Sequence, residues 1–232
     1  MTQASTYTVL PVEQEGKLPV NLQTAFAPIG MIGEQLALAV NKDVPASDVA
    51  RLVALANSTA GGMLFGATNR GGQSHLTGEL FRERAKANIS FVHAAGAAVS
   101  LNDVIAGRIP IMFEGLAGLA PGLQGGAMKL LAVAAPKRLL NLPDLPTIDE
   151  TVPGVVSSGW MVLMAPAGTP ETIIEKINAD LRKVVAMPDV VERLLPMGTH
   201  TRDLTPAQTF EFMRSEERLW WPIVRQLNQA AR

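Results

Sequence analysis

Short, almost entirely apolar segments alternate with helix-like segments along this chain, and this alternation restricts the fold more than any other feature. The clearest apolar segments are residues 35–40, 63–65, 130–135 and 159–165. Strands that are apolar throughout are typically covered by helices on both faces. Because they alternate with helices, the sequence predicts an α/β protein with mostly parallel sheets.

The remaining segments extend this pattern. Further strands are predicted at residues 89–93 and 109–113, and a short one at residues 7–12. Residues 136–153 are rich in proline and aspartate and are predicted to form a long loop. Helices are predicted from apolar spacing and capping residues at 47–57, 73–87, 98–106, 116–123, 170–186, 189–195 and after Thr205.

Composition excludes several classes of protein. Apolar residues make up 47% of the 232 residues and charged residues 18%, which is typical of a folded, soluble chain rather than a disordered one. The net charge of -1 provides no basic surface for nucleic acid. Because the chain has no cysteine, disulfides, cysteine catalysis and thiolate metal sites are excluded.

The first residues of the chain are polar and contain neither a basic segment nor a long apolar one. A secretory signal is therefore not expected in the sequence as given, and no apolar run is long enough to span a bilayer. If Met1 is the natural start, the expected location is the cytoplasm.

The stretch 63–80 joins a predicted strand end, a glycine-containing loop and a predicted helix. The first turn of a helix has backbone N–H groups without intrahelical acceptors and carries partial positive charge. Gly71 and Gly72 would let a carboxylate or phosphate approach these groups closely. The alternative is a tight turn that binds nothing. The spacing matches neither a phosphate-binding lysine loop nor a dinucleotide fingerprint.

Motifs from one end of the chain to the other match one known family in the same order. They include residues 26–29 (FAPI), 66–81 (GATNRGGQSHLTGELF), 142–147 (LPDLPT) and 165–170 (APAGTP), with Asp103 and Trp160 between them. Together they resemble the Bug family, the periplasmic solute receptors of tripartite tricarboxylate transporters. No single motif is specific, but the ordered set is.

The resemblance implies a two-lobed periplasmic-binding-protein fold, a Venus flytrap with an α/β sheet in each lobe. Residues 41–156 would form the lobe with the glycine-rich ligand loop, and residues 1–40 with 157–232 an incomplete first lobe. The implied function is that of a receptor for a small carboxylate, working with membrane transporter subunits in the periplasm. No cofactor, metal or catalysis is implied.

Candidate ligand contacts follow from this resemblance and from the loop. They are the backbone N–H groups of the glycine loop, its polar side chains, and a second helix start: Thr68, Asn69, Gly71, Gly72, Gln73, His75 and Gly96. Asp103 is a further candidate for a ligand ammonium group, or else bonds to nearby backbone. His75 could equally be a core or capping group, and Arg70 could neutralise a ligand or point to water.

Two catalytic arrangements are tested and rejected from spacing. Ser74 and His75 are adjacent on a helix and do not face each other, so they form no nucleophile–base pair. A metal site from His75, His93 and Glu114 lacks regular ligand spacing. An enzyme is therefore not expected.

Several positions depart from the family pattern. The family has more chain before the position of Met1, including one wall of the ligand cleft. Its glycine loop is serine-rich and ends with a serine or threonine before the helix, and these positions are Ala67 and Gly72 here. Glu114 replaces a usual aspartate. These departures leave an alternative open: a shortened, non-transporting descendant that acts as a structural or self-associating protein, with a homodimer covering the incomplete lobe. A start upstream of Met1 is a third possibility.

Overall fold

The structure, a computed structural model, describes residues 1–68, 70–195 and 198–230. Its strands are β1 (Thr2–Gln3), β2 (Phe26–Asn41), β3 (Met63–Gly66), β4 (Ile89–Val92), β5 (Ile111–Gly115), β6 (Met128–Val133), β7 (Ser158–Pro166) and β8 (Thr199–Thr201). Its helices are α1 (Ala4–Thr8), α2 (Leu10–Glu13), α3 (Leu22–Ala25), α4 (Val49–Ser58), α5 (Gln73–Ala85), α6 (Ala97–Ile105), α7 (Leu116–Gln124), α8 (Glu171–Val185), α9 (Pro188–Leu194) and α10 (Pro206–Ala230). Among the described residues, no helix has both the length and the apolar character needed to cross a membrane.

The chain divides into two compact units. One consists of Met1–Glu34 with Gly159–Arg232, and the other of Gln35–Ser158. The chain passes from one unit to the other within β2 and again near the start of β7. The assignment of these units to an incomplete and a complete lobe stays a prediction.

Strands of the Gln35–Ser158 unit lie in the order β6-β2-β5-β3-β4. Strand β3 pairs in parallel with β4 and with β5, in agreement with the parallel sheet predicted from the sequence. Strand β2 instead runs antiparallel to β5 and β6. The sheet is therefore more mixed than predicted, because an apolar strand shows that both its faces are covered but not in which direction its neighbours run.

Helix α5 packs very closely onto β3. A Cβ atom on Gly78 would lie 2.2 Å from Cε2 of Phe65, so a glycine is required at this contact. Leu76, Leu80 and Phe81 on the same helix are almost fully buried. This packing fixes the start of α5 against the end of β3, where the candidate ligand loop lies.

The other unit has a sheet in which β7 lies between β1 and β2, with β8 also paired to β2. The strand predicted at residues 7–12 is wrong, because these residues lie in or next to the short helices α1 and α2. Both helices contact α10, and the buried Tyr7 ring lies 6.3 Å from the Trp160 ring. Packing against a long helix thus overrides the weak local preference of a six-residue apolar segment.

His200 on β8 lies directly over β2. A Cβ atom on Gly33 would come within 2.4 Å of its imidazole ring, so the glycine makes room for the ring. Burial, together with the positive charge of Arg202, lowers the pKa of His200 from its ordinary value of 6.5 to about 4. The folded protein therefore resists protonation of this ring.

This lowered pKa predicts a loss of stability in mild acid. As pH falls from about 6.5 to about 4, the unfolded chain binds a proton at His200 before the folded chain does. The contribution is present in full above pH 6.5 and is expected to decrease by about 1–2 kcal/mol over this window, after allowance for the partial exposure of the ring. Urea unfolding at several pH values measures it.

The control separates His200 from the carboxyl groups that titrate in the same range. His200→Gln should lack this loss, so the stability difference between wild type and variant should change by about 1–2 kcal/mol between pH 6.5 and 4, whereas the same substitution at the exposed His93 should leave the wild-type curve unchanged. Identical curves for wild type and His200→Gln would contradict the assignment.

Candidate functional site

The carboxyl ends of three strands meet at one edge of the Gln35–Ser158 sheet. Because β5, β3 and β4 are neighbours and parallel, their ends point the same way. The β3–α5 loop, residues 93–96 and the start of α7 follow these ends directly. Ligands of open parallel sheets bind at such an edge.

Two helices begin at this edge without a capping side chain. Gly72 is the N-cap of α5 and Gly96 that of α6, and neither helix start is capped by a side-chain hydrogen bond. Gly71 and Gly96 have φ values of 74° and 133°, which favour glycine over any other residue. The first-turn N–H groups of both helices are therefore left to other acceptors.

His75 holds the β3–α5 loop in place. Its side chain is buried, and Nδ1 accepts a hydrogen bond of 3.0 Å from the Gly71 N–H. Nε2 lies 3.6 Å from Oε1 of Glu79, and the ring packs 4.0 Å from the Phe91 ring. In the structure His75 therefore bonds to its own loop, as the capping alternative predicted, and the Gly71 N–H already donates to the imidazole and not to a ligand.

Glu79 completes this arrangement. Burial opposes ionisation of its carboxyl group, but hydrogen bonds and charge from His75 and Arg82 outweigh it and lower the pKa. Because Nδ1 of His75 accepts from a backbone amide, a neutral ring carries its proton on Nε2, the nitrogen that faces this carboxylate.

Glu114, at the end of β5, binds to the same loop. Its Oε1 accepts from Ser74 Oγ at 3.1 Å and from the Gly115 N–H at 2.9 Å, and its Oε2 accepts from Thr68 Oγ1. The side chain is only 9% exposed. A carboxylate of the protein therefore already accepts from both hydroxyl groups near the start of α5.

Gln73, the first residue of α5, is tied to a distant part of the chain. Its Nε2 donates to Ser157 Oγ at 3.1 Å, and Ser157 Oγ lies 2.7 Å from Thr77 Oγ1, which donates to the Gln73 carbonyl. Its Oε1 is buried and has no hydrogen-bond partner within the described chain. Gln73 thus brings an unsatisfied acceptor to the helix start.

Asp103 does not join this group. It lies in the last turn of α6, about 10 Å along the helix axis from Gly96. Its carboxylate accepts from Arg108 Nε at 2.8 Å and forms an ion pair with this guanidinium. Asp103 therefore pairs with a cationic side chain of the protein, and not with nearby backbone as the sequence alternative proposed.

Asn69, Arg70 and His93 were also named from the sequence. Asn69 lies outside the described residues, and Arg70 and His93 are exposed. Within the described chain, no group of three His, Asp or Glu side chains is arranged to hold a metal ion.

Comparison with known proteins identifies the family. Residues 2–229 match the family described as Tripartite tricarboxylate transporter family receptor. The chain belongs to this receptor family. Two relatives are a UPF0065 protein of Bordetella bronchiseptica, 29% identical over 86% of this chain and 59% of the relative, and BugT of Bordetella pertussis, 28% identical over 90% and 65%. The chain thus spans about three fifths of the length of these curated relatives.

Solved structures agree with this membership. A structure of a periplasmic transporter is 25% identical, with a TM-score of 0.84 over 98% of this chain and 76% of that chain. The R. palustris protein Rpa4515, solved with adipate, is 26% identical with a TM-score of 0.84 over 97% and 75%. The predicted Bug-family membership and two-lobed periplasmic-binding-protein fold are confirmed.

The sequence did not identify every polar residue at this edge of the sheet. Glu114 was named only in a rejected metal site and as a departure from the family aspartate, and Ser157 and Thr77 were not candidates. Ser100 was also missed, although its buried hydroxyl would lie 2.3 Å from a Cβ atom on Gly66. The glycine at the end of β3 was the one available indication, because it makes room for Ser100.

Proposed function

We propose that this chain is a solute-binding receptor for a small carboxylate, and that the ligand's carboxylate binds at the starts of α5 and α6. The observation that carries the proposal is the pair of uncapped helix starts at one edge of the parallel strands. Oε1 of Gln73 lies at the same place but is an unsatisfied acceptor, so it can bond to a donor group of the ligand and not to the ligand's carboxylate. The adipate in the R. palustris relative supports a carboxylate ligand.

The proposed ligand set is narrower than that predicted from the sequence. It keeps the backbone N–H groups of Gly72, Gln73 and Ala97. Thr68 and His75 act by shaping the loop, since their polar atoms bond to Glu114 and to Gly71.

The receptor role is proposed to involve no catalysis. Ser74 Oγ donates to Glu114, and His75 Nδ1 accepts from a backbone amide, so the two side chains engage different partners. By family membership we further propose that the receptor works in the periplasm and delivers its ligand to tripartite transporter subunits.

A melting experiment tests carboxylate binding. Adding a panel of mono- and dicarboxylates, adipate among them, should raise the melting temperature, because a ligand that binds only the folded state stabilises it by mass action. At one hundred times Kd the stabilisation is about 2.7 kcal/mol, or about 5–10 °C for a chain of this size. Sodium chloride at equal ionic strength is the control, and no shift with any acid would contradict a working receptor.

A second candidate function, self-association, is favoured by a different observation. Helices α8 and α9 and the residues next to them expose a row of large apolar side chains: Ile173, Ile177, Val184, Met187, Val191 and Leu195. A second copy would remove this surface from water. Light scattering after size-exclusion chromatography distinguishes the candidates, since a monodisperse monomer excludes an obligate dimer.

A further inference from the structure

Glu114 places an unneutralised negative charge beside the proposed carboxylate site. Its three hydrogen-bond donors are two hydroxyl groups and one backbone amide, all of them neutral. No ion pair of the described residues includes this carboxylate. A buried carboxylate without a cationic partner favours any positive charge that can reach it.

The hydrogen bonds also determine what remains open to a ligand. Oε1 already accepts two hydrogen bonds, whereas Oε2 accepts one, from Thr68, and keeps the capacity for another. The hydroxyl groups of Thr68 and Ser74 donate to Glu114 and are not available to a ligand carboxylate. A ligand can therefore bond to Glu114 only by donating.

Gly118 helps to fix Glu114 in this position. A Cβ atom on Gly118 would lie 2.8 Å from Cγ of Glu114, so the side chain lies against the first turn of α7. Its carboxylate then reaches across to Thr68 on the loop and Ser74 on α5. The longer side chain of glutamate, compared with aspartate, extends the charge toward the loop.

We propose that Glu114 determines specificity by selecting ligands in which a carboxylate is accompanied by an ammonium group. This inference rests on the proposed carboxylate binding and names its ligand class, the amino acids. The ligand carboxylate binds at the helix starts, and its ammonium group donates to Oε2 of Glu114. A simple dicarboxylate meets the same negative charge and is disfavoured.

Matched pairs of ligands test this preference. Isothermal titration compares adipate with 2-aminoadipate and propionate with alanine, which differ within each pair only by the ammonium group. The wild-type protein should bind the amino member at least about tenfold more tightly, as expected for one close charge pair. Glu114→Gln, which removes the charge but keeps the size, should reduce this ratio to about threefold or less.

Two further variants control for charge and position. Glu114→Asp keeps the negative charge but withdraws it from the loop by one methylene group, so its ratio should lie between those of the wild type and Glu114→Gln. Glu175→Gln makes the same chemical change on the exposed surface of α8 and should leave the wild-type ratio unchanged. Circular dichroism establishes that each variant is folded.

Each outcome has a distinct meaning. If wild-type protein binds adipate as tightly as 2-aminoadipate, or if Glu114→Gln keeps the tenfold ratio, the inference about Glu114 is overturned while carboxylate binding stands. If wild-type protein and Glu114→Gln bind none of the four compounds, the proposed receptor function fails as well. A Glu114→Gln variant that does not fold leaves the wild-type ratio to decide.

Discussion

Replacing Trp220 by alanine is expected to lower the free energy of unfolding by about 4 kcal/mol, because it removes a large, fully buried side chain and leaves a cavity. The same change removes a hydrogen bond. The indole N–H of Trp220 donates to Oε2 of Glu216 at 3.1 Å, and the same oxygen accepts from Trp160 at 2.9 Å. Glu216 is buried, and burial raises the pKa of its carboxyl group. Without the Trp220 indole, this buried carboxyl group loses one of its hydrogen-bond donors, which adds to the cost.

The adjacent tryptophan provides the matched control. Trp221 is half-buried, so Trp221→Ala should cost about 2 kcal/mol or less. Urea unfolding followed by far-ultraviolet circular dichroism measures both variants without relying on tryptophan fluorescence. Equal losses at the two positions would show that α10 does not pack as the structure describes.

Local sequence patterns predicted those elements that carry their own start signals or a clear apolar period. The final helix is an example, because Thr205 and Gln208 form the reciprocal hydrogen bonds of a capping box that can be recognised from sequence. Tyr7 was assigned to a strand because six apolar or β-branched residues are too few for their periodicity to distinguish a strand from a helix. The residue that it packs against, Trp160, is distant in the sequence, so this contact could not be predicted.

The candidate site likewise has a part that local sequence predicts and a part that depends on contacts between distant residues. The loop and helix start at Gly71, Gly72 and Gln73 are local features, and their position was predictable from a strand followed by glycines and a helix. Their partners were not predictable. Thr68 and Glu114 are 46 residues apart and Gln73 and Ser157 are 84 apart, and only the folded sheet brings these side chains together.

His75→Leu is expected to have the second large effect. The leucine fills much of the ring's space but cannot accept from the Gly71 N–H, and it leaves the buried carboxylate of Glu79 without its histidine neighbour. Leaving buried polar groups unpaired costs about 1–3 kcal/mol each, so the free energy of unfolding should fall by about 3 kcal/mol. The same substitution at the exposed His93 is the control and should cost little.

Amide hydrogen exchange shows whether the loop itself is affected. In the wild type the Gly71 N–H is hydrogen-bonded to Nδ1 and should exchange slowly, and in His75→Leu it should exchange much faster. Carboxylate affinity should fall with it, because a looser loop no longer holds the first turn of α5 open to the ligand. If affinity falls while Gly71 exchange and stability do not change, His75 contacts the ligand directly and the imidazole is not the loop's anchor.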